Sequence, residues 1–182
     1  MTTRKLQYLL SIAAASALAA GSMPVAWAAS ATANASATVL TPMTITKSTD
    51  LNFGELVAGN GVVTLDTAGA RTKAGSTALP TGGSPTAARF DVTGDANHTF
   101  SVDFATGSST VLTDASSNTM AVSWFAEVVG TAAPTPVSTG TPTTGTLNSG
   151  AAYIYVGGAV TVGASQAAGS YTGTIQVTVN YN

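Results

Sequence analysis

Residues 169–182 read GSYTGTIQVTVNYN, and from Tyr171 onward one side chain in two is apolar or aromatic. Tyr171, Ile175, Val177, Val179 and Tyr181 share one parity, broken only by Gly173, while Thr172, Thr174, Gln176, Thr178 and Asn180 take the other. Successive side chains of an extended chain point to opposite sides, so this period of two predicts a β-strand with one buried and one wet face. The whole chain has the same character. It has 182 residues, no cysteine, one histidine and only 8% charged side chains, and it is rich in Gly, Ser, Thr, Ala and Val. β-Branched residues fit pleated surfaces and glycine marks turns, so the composition is that of a β-rich, helix-poor protein.

Upstream, short alternating runs follow one another between turn signals. MTIT (43–46) and LNFGEL (51–56) come first, then a Gly59–Gly61 turn and VVTL (62–65). Residues 67–85 collect glycine, proline and two of the four basic residues outside the leader, Arg71 and Lys73, and read as a surface excursion. ARFDVT (88–93) and HTFSVDFA (98–105) flank Gly94-Asp95-Ala96-Asn97, whose turn chemistry predicts a hairpin. MAVSWFAEVV (120–129) sets Met120, Val122 and Trp124 on one side. Residues 130–146, with Pro134, Pro136 and Pro142, read as a long loop or strand-switching segment. AYIYVGG (152–158), AVTVGA (159–164) and the closing strand complete the set. Seven or eight short strands with turns between them predict an all-β fold, an immunoglobulin-like β-sandwich over residues 42–182.

The start of the chain addresses the compartment. Arg4 and Lys5 precede an apolar run from Leu9 to Ala20, and Ala26-Trp27-Ala28 is an A-x-A cleavage site. This pattern predicts a secretory signal peptide over residues 1–28, with passage through the inner membrane to the periplasm and the cell surface. Removing Arg4 and Lys5 leaves four cationic side chains, Lys47, Arg71, Lys73 and Arg89, against eight carboxylates, hence a net charge of −4. A charge-poor, weakly acidic surface argues against nucleic acid as a partner and against insertion of the mature chain into an anionic membrane.

Between leader and domain, residues 30–39 read SATANASATV. Ala31, Ala33, Ala35, Ala37 and Val39 alternate with polar residues. Two readings compete for this extension (29–41): a flexible tail, or a donor strand that completes the sheet of a neighbouring molecule.

Groups for catalysis are sparse. His98 stands beside a turn, and the eight carboxylates are scattered singly. Asp91, Asp95 and Asn97 have the hard oxygens that calcium takes, but Asp and Asn are also standard turn formers and the EF-hand spacing is absent. No nucleophile elbow or dinucleotide loop is present. The expectation is a protein that is not an enzyme and needs no cofactor or metal. Trp124, Tyr153 and Tyr155 are the rings that could stack on a sugar if exposed; edge tyrosines with satisfied hydroxyls are the more ordinary alternative.

Three features together resemble a known family. They are the alternating extension, Leu51-Asn52-Phe53-Gly54 near the domain start, and Ala168-Gly169-Ser170-Tyr171-Thr172-Gly173 leading into a closing strand with penultimate Tyr181. On these the chain resembles a secreted bacterial pilin-like family, related to spore coat protein U and to the archaic and CS1-like chaperone–usher fimbrial subunits. Archaic and classical subunits generally carry a disulfide near the first strand, which this chain lacks, as CS1-like subunits do. The resemblance implies a sandwich missing its final strand, with Gly169, Tyr171, Ile175, Val177, Val179 and Tyr181 along an open groove edge. It implies a surface fimbria or pilus subunit built by donor-strand complementation, with Ala31, Ala33, Ala35, Ala37 and Val39 as the donor. Its partners would be other copies of itself in a head-to-tail filament, a periplasmic chaperone and an outer-membrane usher. The alternative is a self-contained secreted β-sandwich serving as a surface-coat component or carbohydrate-binding module.

Overall fold

The computed structural model describes residues 27–104, 106–130, 135–137 and 140–182. Most of the expected leader, residues 1–26, lies outside them. Residues 27–38 form a unit separate from Val39–Asn182; they carry no strand and are exposed throughout.

The domain is all-β, with no helix and eleven strands among the described residues. In chain order these are β1 (Thr44–Thr49), β2 (Gly61–Leu65), β3 (Arg71–Gly75), β4 (Ala88–Thr93), β5 (Thr99–Phe104), β6 (Val111–Thr113), β7 (Thr119–Val129), β8 (Thr135–Val137), β9 (Thr143–Thr146), β10 (Ala151–Val162) and β11 (Val177–Tyr181). Two antiparallel sheets form a β-sandwich. β11, β5 and β9 make the smaller sheet, with β5 in the middle, and the other eight strands make the larger one.

β10 organises the larger sheet. One of its edges pairs first with β4 over Ala151–Val156 and then with β2 over Gly158–Val162, while the other edge pairs with β7. The two strands read at 152–158 and 159–164 are therefore one. Gly157 and Gly158 do not break it, because neighbours occupy the space of their missing side chains. A Cβ on Gly158 would come within 2.8 Å of the Trp124 ring, and one on Gly157 would strike the Leu65 carbonyl oxygen and the Phe125 ring. Glycine here permits close approach of ring and backbone.

Alternation sorts the core as expected. Met120, Val122, Ala126 and Val128 of β7 are buried, with Trp124 half-buried in the same row. Val92, Ala152, Ile154 and Val156 of the larger sheet pack against Phe100, Val102 and Phe104 of the smaller one in a single cluster. A second cluster, Phe53, Val63, Leu65, Leu112, Met120, Val122, Val160 and Val162, lies further along the larger sheet. Half-buried Leu51, Leu56, Leu79 and Tyr171 pack against it, and no strand of the smaller sheet contributes to it.

Several sequence expectations are corrected. The 88–93/98–105 hairpin does not exist. β4 pairs with β1 and β10 while β5 pairs with β11 and β9, so the turn at Gly94–Asn97 carries the chain from one sheet to the other. Phe90 and Val92 thus lie across the sandwich from Phe100 and Val102. LNFGEL is not a strand. Asn52 Oδ1 accepts from the Gly54 N–H at 2.8 Å, Gly54 has φ +74°, and only Asn52 makes a bridge, to Thr86. Arg71 supplies what a ladder would have: it donates to the carbonyls of Phe53 and Glu55 at 2.8 Å and of Pro80 at 2.6 Å. The 67–85 excursion contains β3, and the 130–146 stretch contains β8 and β9. The closing strand is regular only over Val177–Tyr181. Upstream, Thr172 bridges Thr113 in both directions, and the Thr174 and Gln176 N–H groups donate to the hydroxyls of Ser109 and Ser108.

Candidate functional site: an open groove between two sheet edges

β1 lies at one edge of the larger sheet and pairs only with β4; β11 lies at an edge of the smaller sheet and pairs only with β5. Met43 and Ile45 at the first edge, and Ile175, Val177, Val179 and Tyr181 at the second, are half-buried while packing on the core. These apolar side chains touch the core yet keep exposed surface, beside sheet edges with a single strand partner.

A cavity of about 1170 Å³ lies at the end of β1. One wall is residues 47–58 and the other is residues 166–175, with Leu112, Met120, Trp124 and Val162 between them. Phe53 stacks at a tilt on Trp124, ring centroids 6.3 Å apart, and Trp124 Nε1 donates to the Ser109 carbonyl at 2.7 Å. Those contacts hold the rings in place. Tyr171 Oη accepts from Gln166 Nε2 at 2.7 Å and donates to the Ala167 carbonyl at 2.8 Å. The gap in the apolar series at Gly173 has a local cause: a Cβ there would come within 2.7 Å of Leu112 Cδ2. Gly169 passes the Asp114 carboxylate, which a Cβ would approach to 3.1 Å. The closing-segment residues singled out in the sequence therefore follow one another along one edge. On the opposite wall, Leu51, Phe53 and Leu56 belong to the run read as a strand, and Leu51 and Phe53 also carry the family resemblance, but none is among the expected site residues; their side of the groove is loop rather than strand.

Polar clasps fix the ends of this edge. The Tyr181 hydroxyl accepts from the Asp95 N–H at 2.7 Å and donates to the Thr41 carbonyl at 3.0 Å, while the Thr41 N–H donates to Asp95 Oδ2 at 2.8 Å. The hydrogen bonds from Thr41 hold the Asp95 carboxyl below its ordinary value. Asn118, through its side chain and backbone, does the same for Asp114, which also accepts from the Ser116 N–H. Both groups favour the fold only while charged, so their contribution is complete above the ordinary carboxylate range and is lost as pH falls through the lowered values. The urea midpoint of the mature chain is expected to hold steady from pH 7 to about 5 and to fall below about pH 4. The Asp95→Asn/Asp114→Asn variant is expected to start lower at pH 7 and fall less steeply; an unchanged slope in urea unfolding across the pH series would contradict these assignments.

The remaining candidates lie elsewhere. Val39 is 93% exposed, and Ala31, Ala33, Ala35 and Ala37 are exposed. Trp124 faces inward, whereas Tyr153 and Tyr155 alternate with buried Ile154 and Val156 and face out, so the three rings do not form one platform. The Arg89 guanidinium sits 4.3 Å from the Tyr153 ring centre and 5.9 Å from that of Tyr155, with its Nε donating to Asp91 at 2.7 Å. Asp91 and Asp95 thus serve different partners, and no cluster of three His, Cys, Asp or Glu able to hold a metal occurs among the described residues. His98 is exposed, with Nδ1 3.2 Å from the Ala96 carbonyl oxygen and its ring edge-on to Tyr181. Residues 43–181 match the family described as a domain of unknown function, DUF4402. No curated protein matches the chain.

Proposed function

The chain belongs to the DUF4402 family, and we propose that it is a surface filament subunit whose groove receives the N-terminal segment of a neighbouring copy. The observation that carries this reading is the groove itself, walled by residues 47–58 and 166–175, which adjoin β1 and β11, each a sheet edge with one strand partner. Ala31 to Val39 span nine residues, about 30 Å when extended at ~3.4 Å each. That is enough to run along a sandwich, with the five apolar side chains on the side that enters the groove. Main-chain hydrogen bonds to both edges would supply affinity, and the alternation would fix register, since a slip of one residue turns Thr and Asn inward. The contact joins two different surfaces and does not close on itself, so it propagates as a filament. A periplasmic chaperone that shields the groove before assembly, and an outer-membrane usher that releases the subunit to the surface, belong to the same proposal.

Val39 provides a local test. Because it is 93% exposed, Val39→Asp is expected to leave the melting temperature within about 2 °C, as for surface substitutions in general. Its carboxylate would be buried unpaired in the neighbour's groove. Filaments seen by negative stain and size exclusion are expected to become sparse or short. Normal filaments from this variant would remove Val39 from the donor.

A further inference from the structure

Two stretches, Asn34-Ala35-Ser36 and Asn97-His98-Thr99, have the Asn-x-Ser/Thr spacing that N-glycosylation takes as its acceptor. Only the second has an acidic residue two positions before the asparagine, Asp95; Thr32 stands at that place before Asn34. The longer form, with the acid, is the acceptor that bacterial oligosaccharyltransferases take. Asn97 ends the turn that carries the chain from the larger sheet to the smaller, at φ +63°, and Asn97, His98 and Thr99 are all exposed. Asparagine suits such a turn by itself. Its side chain, however, takes no part in holding it. The Asn97 backbone N–H donates to the Leu147 carbonyl at 2.7 Å, but among the described residues neither the Asn97 amide group nor the Thr99 hydroxyl makes a hydrogen bond. By contrast, Asn52 spends its amide on the Gly83 carbonyl and Asn118 on the Asp114 carboxylate. A sugar on Asn97 therefore displaces no contact, and none of residues 94–98 lines the cavity.

We propose that Asn97 is an N-glycosylation site, filled during export with an oligosaccharide from a polyprenyl diphosphate carrier. The Asn97 amide nitrogen attacks the anomeric carbon of the sugar. A C–N bond forms, the C–O bond to the diphosphate breaks with its electron pair leaving on polyprenyl diphosphate, and the amide gives one proton to a base of the transferase. The order of the chain provides the opportunity. Leu147, which accepts from the Asn97 N–H, and Tyr181, whose hydroxyl accepts from the Asp95 N–H at 2.7 Å, both come later in the sequence. Until they have crossed the membrane the turn is not pinned, and residues 95–99 are open to a membrane-bound transferase. The proposal rests on the export expected from the leader and does not depend on the groove.

Mass spectrometry of the chain purified from the cells that make it tests the site. The expected intact mass is that of the chain without its leader plus one oligosaccharide, and peptide mapping is expected to place the increment on Asn97 and leave Asn34 bare. Thr99→Val is expected to abolish the increment and Thr99→Ser to retain it. Asn97 is unaltered in both variants, so a purely structural role for asparagine in the turn would not produce that difference. A leaderless chain at its bare sequence mass would overturn the proposal and leave export standing. An unmodified chain that keeps its leader would overturn it together with export. An increment on Asn34, or one on Asn97 that survives Thr99→Val, would overturn the acceptor assignment.

Discussion

Deletion of residues 29–39 from the mature chain is expected to abolish self-assembly completely while leaving the sandwich folded. Among the described residues the extension carries no strand and Trp27–Thr38 are exposed, so the domain's own ladders lose nothing. Donor function, by contrast, would lose all five alternating side chains and the main-chain edge that goes with them. The expected readout is a change from filaments to monomers in size exclusion and negative stain, with an unchanged far-UV spectrum and denaturation midpoint. The truncated chain keeps its groove and should still cap one end of filaments made by the full chain, shortening them when mixed in. Filaments from the truncated chain alone would end the donor reading of this segment.

The largest effect on stability is expected from Phe100→Ala. Phe100 is fully buried on β5, the middle strand of the smaller sheet, and belongs to the cluster joining the two sheets. Gly145 on β9 is shaped around it, since a Cβ there would come within 2.6 Å of the ring's Cζ. Both strands beside Phe100 pair through it, to Tyr181 on β11 and Gly145 on β9, so collapse into the void is restricted. Truncation of a buried Phe to Ala costs about 3–5 kcal/mol, which is a large share of a stability of about 5–15 kcal/mol. Urea unfolding would measure it directly. A loss below about 1 kcal/mol would mean that the two sheets are not packed through this ring.

Alternation was enough to read the strand faces but not their partners. Met120, Val122, Ile154, Val156, Phe100 and Val102 point inward as their parity requires. Parity says nothing of which sheet a strand joins, and for that reason Gly94–Asn97 looked like a hairpin turn although it crosses between sheets. The LNFGEL run failed as a strand for a reason 16 and 18 residues away in sequence, because Arg71 satisfies the Glu55 and Phe53 carbonyls from β3. The groove was legible only in part. Its β11 side follows the closing alternation of Ile175, Val177, Val179 and Tyr181, half-buried as a two-faced strand should be. The opposite wall and the cavity depend on Trp124, Phe53 and Leu112 meeting across long separations, and no local pattern encodes that meeting.

The central claim is that the groove of one copy holds the extension of another, and a disulfide can trap that contact. The chain has no cysteine, so Ala35→Cys in the extension and Ile175→Cys in the groove edge place the only two thiols in the molecule. The double variant, oxidised during assembly and run under non-reducing denaturing conditions, is expected to give a ladder of covalent oligomers that collapses to monomer with reductant. Mixing the two single variants is expected to give one predominant product, the mixed dimer. A chain that remains monomeric under oxidation, whether with free thiols or with an internal disulfide, would contradict insertion into a neighbour.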